Sequence, residues 1–240
     1  MEEKKKIEVC FSPLLYHLYH NSNSNVVVID VLRATSSICA AFAAGAEKII
    51  PVGTVEDARK VKDAGFILAA ERDGKVLDFA DFGNSPFNFT PERVKGKTIA
   101  YSTTNGTQAI QLAKDSKNII IGAFTNLSEV VKFLEKVHAD VILFCSGWKG
   151  RFNLEDSICA GAIAQKLIET GKFSTICDST NAAIDLWNVA KSDLRNYIEK
   201  AAHRLRLRKM LLDDVIDYCI TIDSVKVLPV FKDEAILNVL

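Results

Sequence analysis

The sequence predicts an α/β protein, a three-layer α/β/α arrangement with a largely parallel or mixed sheet built from repeated strand–helix units. Three observations predict it. Short apolar runs rich in β-branched residues, at 26–29, 97–101 and 140–145, have the length and continuity of buried strands. Each is followed by a polar junction and then by a segment of helical character. The unit also recurs: a shift of 70 positions lays Ile49-Ile50 on Ile119-Ile120 and Thr35 on Asn105. Ser157-Ile158-Cys159-Ala160 repeats Ser37-Ile38-Cys39-Ala40. Alternating strands and helices of this length imply parallel strands with helices on both faces.

In order along the chain, residues 7–11 read as a first strand. Ser12-Pro13 turns it into a short helix over 14–20, and 21–25 is a polar loop. Strand 26–29 runs into Asp30 through Ser37. There Thr35 or Ser36 is placed to cap an Ala-rich helix that stops at Gly45. A strand over 47–52 follows, then a helix over 55–64 capped by Thr54, then a strand over 66–70 ending in Glu71-Arg72-Asp73-Gly74. Residues 75–96 lack periodicity and carry Asp78, Asp81, Gly83-Asn84-Ser85-Pro86 and Phe79, Phe82, Phe87 and Phe89. They read equally as a binding segment or as a loop pinned to the core by its aromatics. A helix runs to about Asp115, a strand covers 118–121, and Asn126 or Ser128 opens the next helix. After the third junction a helix starts near Leu154. From 174 the chain reads as helices over 178–190, 193–209 and 213–219. A last strand over 225–231 is expected at a sheet edge because Pro229 interrupts it.

The chain has 240 residues, enough for one α/β unit or two intimate halves, about 1–125 and 126–240. Thirty basic and thirty acidic side chains cancel, which argues against a nucleic-acid binder working by phosphate neutralisation. The basic run His203 to Lys209 accordingly reads as a solvated face. No apolar run approaches the ~20 residues that span a bilayer, so no membrane partner is expected. The six cysteines are scattered through apolar runs without metal-ligand spacing. A cytoplasmic protein is expected, and the sequence leaves a homo-oligomer open.

The junctions carry the chemistry. Asp30, Arg33, Thr35 and Ser36 follow one strand, Thr103, Thr104, Asn105 and Thr107 another, and Ser146-Gly147 with Lys149 and Arg151 a third. Hydroxyls and helix N-termini at the carboxyl ends of parallel strands suit an oxyanionic ligand. The plain alternative at any one junction is a helix cap with Arg33 paired to Asp30. Nearby stand the carboxylates of Asp30, Glu71, Asp73, Asp81, Glu155 and Asp156. Oxygen ligands without histidine suit Mg²⁺, and the combination points to phosphoryl chemistry on a small anionic phosphoester. No P-loop is present. Cys145 to Arg151 matches the Cys-x₅-Arg spacing of cysteine phosphatases, but Phe152 stands where a Ser or Thr is usual. A buried thiol is the simpler reading of Cys145.

Four motifs in order give a sharper reading: Asp30-Val31-Leu32-Arg33-Ala34-Thr35-Ser36, Gly83-Asn84-Ser85-Pro86, Thr103-Thr104-Asn105-Gly106-Thr107, and Gly150 through Leu154-Glu155-Asp156 with Cys159-Ala160-Gly161. Together they resemble the 2-phosphosulfolactate phosphatase family over roughly residues 7–170, more faintly beyond. The resemblance implies an α/β, Mg²⁺-dependent hydrolase that converts 2-phospho-3-sulfolactate to 3-sulfolactate and phosphate on the route to coenzyme M. A phosphate, a carboxylate and a sulfonate on one molecule would account for three anion sites in one cleft. Asp30, Glu71 and Asp156 are then expected as the metal set. Glu155 would share in the ligand-or-base work. Arg33, Thr35 and Ser36 would hold phosphate. Asn84, Ser85, Thr103, Thr104, Asn105 and Thr107 would hold the other groups, with Lys149 or Arg151 on the sulfonate.

Overall fold

The computed structural model describes residues 3–240. Eleven strands form one sheet: β1 (Lys5–Cys10), β2 (Asn25–Ile29), β3 (Lys48–Pro51), β4 (Ile67–Arg72), β5 (Lys75–Val76), β6 (Thr98–Ser102), β7 (Asn118–Gly122), β8 (Val141–Cys145), β9 (Phe173–Ser174), β10 (Pro229–Lys232) and β11 (Ala235–Asn238). Their spatial order is β5-β4-β6-β3-β11-β10-β7-β2-β8-β1-β9. The sheet is therefore two parallel blocks, β4-β6-β3 and β7-β2-β8-β1-β9, joined by an antiparallel hairpin.

The expected three layers follow from how the strands divide their side chains. Val27 and Ile29 of β2 and Leu143 and Cys145 of β8 pack into one core with Leu134, Ile158 and Ile163. Val26, Val28, Ile142 and Phe144 point the other way, into a core with Ile38, Phe42 and Ile110. Successive strand residues face opposite sides, so apolar side chains at every position require helices on both faces. On the first face helix Leu154–Glu169 lies against helix Asp178–Ala190. Their approach is so close that a Cβ on Gly161 would sit 1.9 Å from the carbonyl oxygen of Ala183. The glycine of Cys159-Ala160-Gly161 is thus a packing requirement.

Several elements differ from expectation. The strand expected over 225–231 starts at Pro229 and lies in the middle of the sheet, not at its edge. Proline is tolerated there because it is the first strand residue. Val230 and Phe231 supply the pairing to Ile120 and Ile119. Asp233 and Glu234, with φ of 51° and 61°, turn the chain back into β11, which the sequence reading missed. The helix expected over 193–209 is two, Leu194–Ile198 and Ala202–Lys209. Between them Glu199 accepts hydrogen bonds from Arg195, Arg204 and Arg208, one side chain before the break and two after it. Within 75–96, β5, a 3₁₀ turn at Pro86–Asn88 and helix Pro91–Val94 form, and Phe82 and Phe89 are buried edge-to-face at 5.3 Å.

Candidate active site

The carboxyl ends of β2, β4, β6 and β8 converge on one small cleft. Helix Ala34–Ala43 follows β2, with Arg33 rather than Thr35 or Ser36 at the capping position. The first helical N–H groups, expected to be free for a ligand, are taken by Asp30. Its carbonyl accepts from the Thr35 N–H (2.9 Å) and its Oδ1 from the Ala34 N–H (3.2 Å). The helix N-terminus already has its anion, a carboxylate of the preceding turn. Thr35 and Ser36 are buried, and their hydroxyls donate back to the carbonyls of Asp30 and Val31, both at 2.9 Å. These hydroxyls shape the turn. Among the described residues no hydrogen bond reaches Asp30 Oδ2.

Glu71 ends β4 and ties it to the β6 junction. Its Oε1 accepts from the Thr104 N–H (2.7 Å) and its Oε2 from the Gly74 N–H (2.7 Å). The Thr104 hydroxyl also donates to it. Asp73 and Gly74, with φ of 53° and 84°, form the two-residue turn of the β4–β5 hairpin. Thr107 donates its hydroxyl to the Thr103 carbonyl (3.0 Å). Gly106 lets the two junctions meet: a Cβ there would lie 2.6 Å from the Ala34 Cβ and 3.1 Å from Asp30 Oδ2.

Asp156, in the first turn of helix Leu154–Glu169, reaches under the Asp30 loop. Its Oδ1 accepts from the Val31 N–H (2.8 Å), and its Oδ2 from Asn153 Nδ2 (2.9 Å) and the Gly147 N–H (3.2 Å). Three donors on one buried carboxylate make it the tie between the β2 and β8 junctions. Its neighbour Glu155 is fully buried, with Oε1 3.2 Å from His203 Nδ1 and Oε2 without a partner.

His203 comes from helix Ala202–Lys209, in the run read as a solvated face. The helix corrects that reading by sorting the run onto separate faces. His203 lies against the Trp148 ring at 5.3 Å, and Arg206, three residues on, stacks over the same ring at 4.1 Å. Arg204 is 1% exposed and ion-paired with Glu199 and Asp213. Met210 covers Gly74. The segment spans the mouth from the Trp148 loop to the β4–β5 turn.

The cleft is lined by Asp30, Leu32, Arg33, Glu71, Gly74, Asn84, Thr103, Asn105, Trp148 and His203. Six of the expected site residues line it. The others lie around it: Thr35, Ser36, Thr104, Thr107, Glu155 and Asp156 build its walls, and Ser85 is half-buried at the start of the 3₁₀ turn. Arg151 is exposed outside the cleft. Its peptide closes a turn with Trp148, and a Cβ on Gly147 would meet the Arg151 carbonyl oxygen at 2.2 Å. Lys149 pairs with Asp73 at the rim (2.7 Å). Asp81 pairs with Lys62 away from the cleft. Trp148 and His203 were missed by sequence reading; no local signal separates this histidine from its arginine neighbours.

Arg33 is 5% exposed, and among the described residues its guanidinium has no hydrogen bond or ion pair. The simple pairing with Asp30 does not form. Burial pushes the Asp30 carboxyl up to about 6, opposed by His203 and the Ala34 N–H and reinforced by Glu71 and Glu155. Asp156 is held well above the usual carboxylate range by burial and by the charges of Asp30 and Glu155. Burial and the Asp156 charge likewise push the Cys145 thiol well up. Its place in the core at the end of β8 is the opposite of an activated nucleophile's surroundings. Asn84 adds a buried side-chain oxygen without a partner, on a loop fixed by the Ser37 hydroxyl donating to its carbonyl (2.6 Å).

A mixed α/β sheet with polar and charged side chains gathered at the carboxyl ends of its strands is the place where open α/β enzymes hold their ligands. Residues 10–234 match the family model described as 2-phosphosulpholactate phosphatase, and the chain belongs to that family. It is 35% identical over 229 residues to a protein of Caldanaerobacter subterraneus subsp. tengcongensis named a probable 2-phosphosulfolactate phosphatase, covering 91% of this chain and 94% of that one. Proteins given the same name in Thermotoga maritima (39% identity; 85% and 87% covered) and Microcystis aeruginosa (37%; 91% and 93%) are similarly close.

Proposed function

We propose that this chain is an Mg²⁺-dependent phosphatase that hydrolyses 2-phospho-3-sulfolactate to 3-sulfolactate and phosphate, a reaction of the coenzyme M biosynthesis type, in the cytoplasm. Family membership supports the phosphatase chemistry. No helix among the described residues is long and apolar enough to cross a membrane. The observation that carries the reading at the site is Arg33. A nearly buried guanidinium without a protein partner is costly unless an anion completes it, and its planar fork matches phosphate. Asn84, Thr103 and Asn105 share the cleft with it and offer polar contacts to the other two anionic groups.

Among the described residues, no three His, Cys, Asp or Glu side chains gather closely enough to hold a metal ion by themselves. Mg²⁺ needs no such cage, because it keeps several waters and takes one or two carboxylates together with substrate phosphate. Asp30, whose Oδ2 accepts no hydrogen bond among the described residues, fits that mode; Glu71 lines the same cleft, but the Gly74 and Thr104 donors already occupy both of its oxygens. Asp156, with three donors on its oxygens, fits the role of holding the Asp30 loop. Bound there, the metal would neutralise phosphate charge. Arg33 then clamps the phosphate, and the walls built by Thr35, Ser36, Thr104 and Thr107 keep Asp30 and Arg33 in place.

Phosphate release from 2-phosphosulfolactate, phospholactate and unrelated phosphoesters, with Mg²⁺ and with EDTA, tests this. Turnover preferring the sulfonated ester and abolished by EDTA is expected, with recovery on adding Mg²⁺. Turnover only on other esters would remove the substrate, and undiminished activity in EDTA would remove the metal. Tight substrate binding without phosphate release would replace the enzyme with a binder of small anions.

A further inference from the structure

We propose that His203, oriented by Glu155, donates the proton to the ester oxygen that leaves phosphorus; this rests on the phosphatase reading above. His203 is carried by helix Ala202–Lys209, far in sequence from the junction motifs, yet its side chain lines the same cleft as Asp30 and Arg33. Its Nδ1 lies 3.2 Å from Oε1 of Glu155, which commits that nitrogen to the carboxylate and leaves Nε2 as the other proton-bearing position of the ring. Glu155 is fully buried, and its Oε2 has no partner. Asn153 Nδ2 also donates to Oε1 at 3.3 Å, which holds the carboxylate in place beside the ring. Trp148 holds the ring from one side at 5.3 Å, and Arg206 holds the indole in turn at 4.1 Å.

A secondary alcohol is a poor leaving group as its alkoxide, so the ester oxygen needs a proton as the bond to phosphorus breaks. Water oxygen bonds to phosphorus, and the bond from phosphorus to the ester oxygen breaks with its electron pair staying on that oxygen. The His203 Nε2 proton moves to the oxygen, and the product departs as an alcohol. The proton lost by the attacking water leaves with phosphate or to solvent, and solvent recharges His203. Glu155 acts through His203 and is a positioning residue.

The test compares one preparation on two esters in the presence of Mg²⁺: 2-phosphosulfolactate, an alkyl ester, and p-nitrophenyl phosphate, whose phenolate leaves without a proton. For His203→Gln, kcat on the alkyl ester is expected to fall about 10²–10³-fold with KM little changed, while kcat on the aryl ester falls less than about 10-fold. Glu155→Gln should shift the ratio in the same direction by less. Each ratio is taken on a single sample, so partial misfolding cancels. Equal losses on both esters, or an undiminished alkyl rate, overturn the assignment and leave the phosphatase reading standing. A wild-type protein that releases phosphate from neither ester overturns both.

Discussion

Asp30 lines the cleft and is costly to the fold. Its carboxyl titrates near 6 in the folded protein against 3.8 for the free side chain. The folded state therefore holds this proton more tightly than the unfolded chain does. With respect to Asp30, stability is greatest below about pH 4, falls as pH rises towards 6, and stays low above that. Asp30→Asn keeps an oxygen for the Ala34 N–H and removes the charge. Denaturant unfolding should show it more stable than wild type on the order of 2–3 kcal/mol at pH 7.5 and nearly equal below pH 4. The same variant should lose phosphate release. A variant whose advantage over wild type is no larger at pH 7.5 than below pH 4 would contradict the burial cost. For Arg33→Ala, loss of one charged contact worth about 1.5–3 kcal/mol should lower kcat/KM roughly 10- to 150-fold. Steady-state kinetics at fixed Mg²⁺ measures it.

Between elements, two glycines decide how closely helices approach. Gly161→Ala places a methyl 1.9 Å from the Ala183 carbonyl oxygen, against backbone that cannot swing aside. Overpacking of this kind costs about 1–3 kcal/mol or more, read as a lower midpoint in chemical denaturation. Gly106→Ala presses on the Ala34 Cβ and on Asp30 Oδ2, so its effect should divide differently. A modest stability loss should accompany a large fall in kcat, because the carboxylate itself is displaced. If Gly106→Ala costs stability but no activity, the Asp30 assignment is in difficulty. The helix bearing His203 and Arg206 crosses the mouth through Trp148.

At the scale of the molecule, the β10–β11 hairpin is the seam. It pairs with β7 through Val230 and Phe231 and with β3 through Ile236 opposite Ile49. The residues it meets, Ile49 and Ile119, are the pair that superpose when the sequence is shifted by 70 positions. Two equivalent strands from the repeated unit thus flank the hairpin, one on each side. Ile236 is fully buried there. Ile236→Ala should cost about 2–5 kcal/mol in global unfolding, and because the hairpin joins the two parallel blocks, the transition should remain a single cooperative one. Separate melting of two blocks, seen as a biphasic curve, would speak against the seam.

Local signals determined most of the elements. Thr54 caps Val55–Asp63 by accepting from the Asp57 N–H, and helix Asp178–Ala190 falls where the sequence placed it. The parallel β-strands other than the two-residue β9, and the junctions that hold Asp30, Arg33, Glu71, Thr103 and Asn105, were legible for the same reason: their apolar runs and turn residues act over a few positions. Periodicity does not say which strands pair, so Pro229 suggested an edge where the tertiary structure built a centre. Nor does a junction rich in hydroxyls say where they point; packing turned those of Thr35 and Ser36 inward onto the Asp30 turn. His203 meets Glu155 across 48 residues of chain, and only the docking of the C-terminal helices brings them together. The strand–helix units and their polar junctions were determined by the sequence near each residue. Which polar groups face the cleft was decided by contacts between residues far apart in the chain, because burial and pairing exist only once the layers have closed.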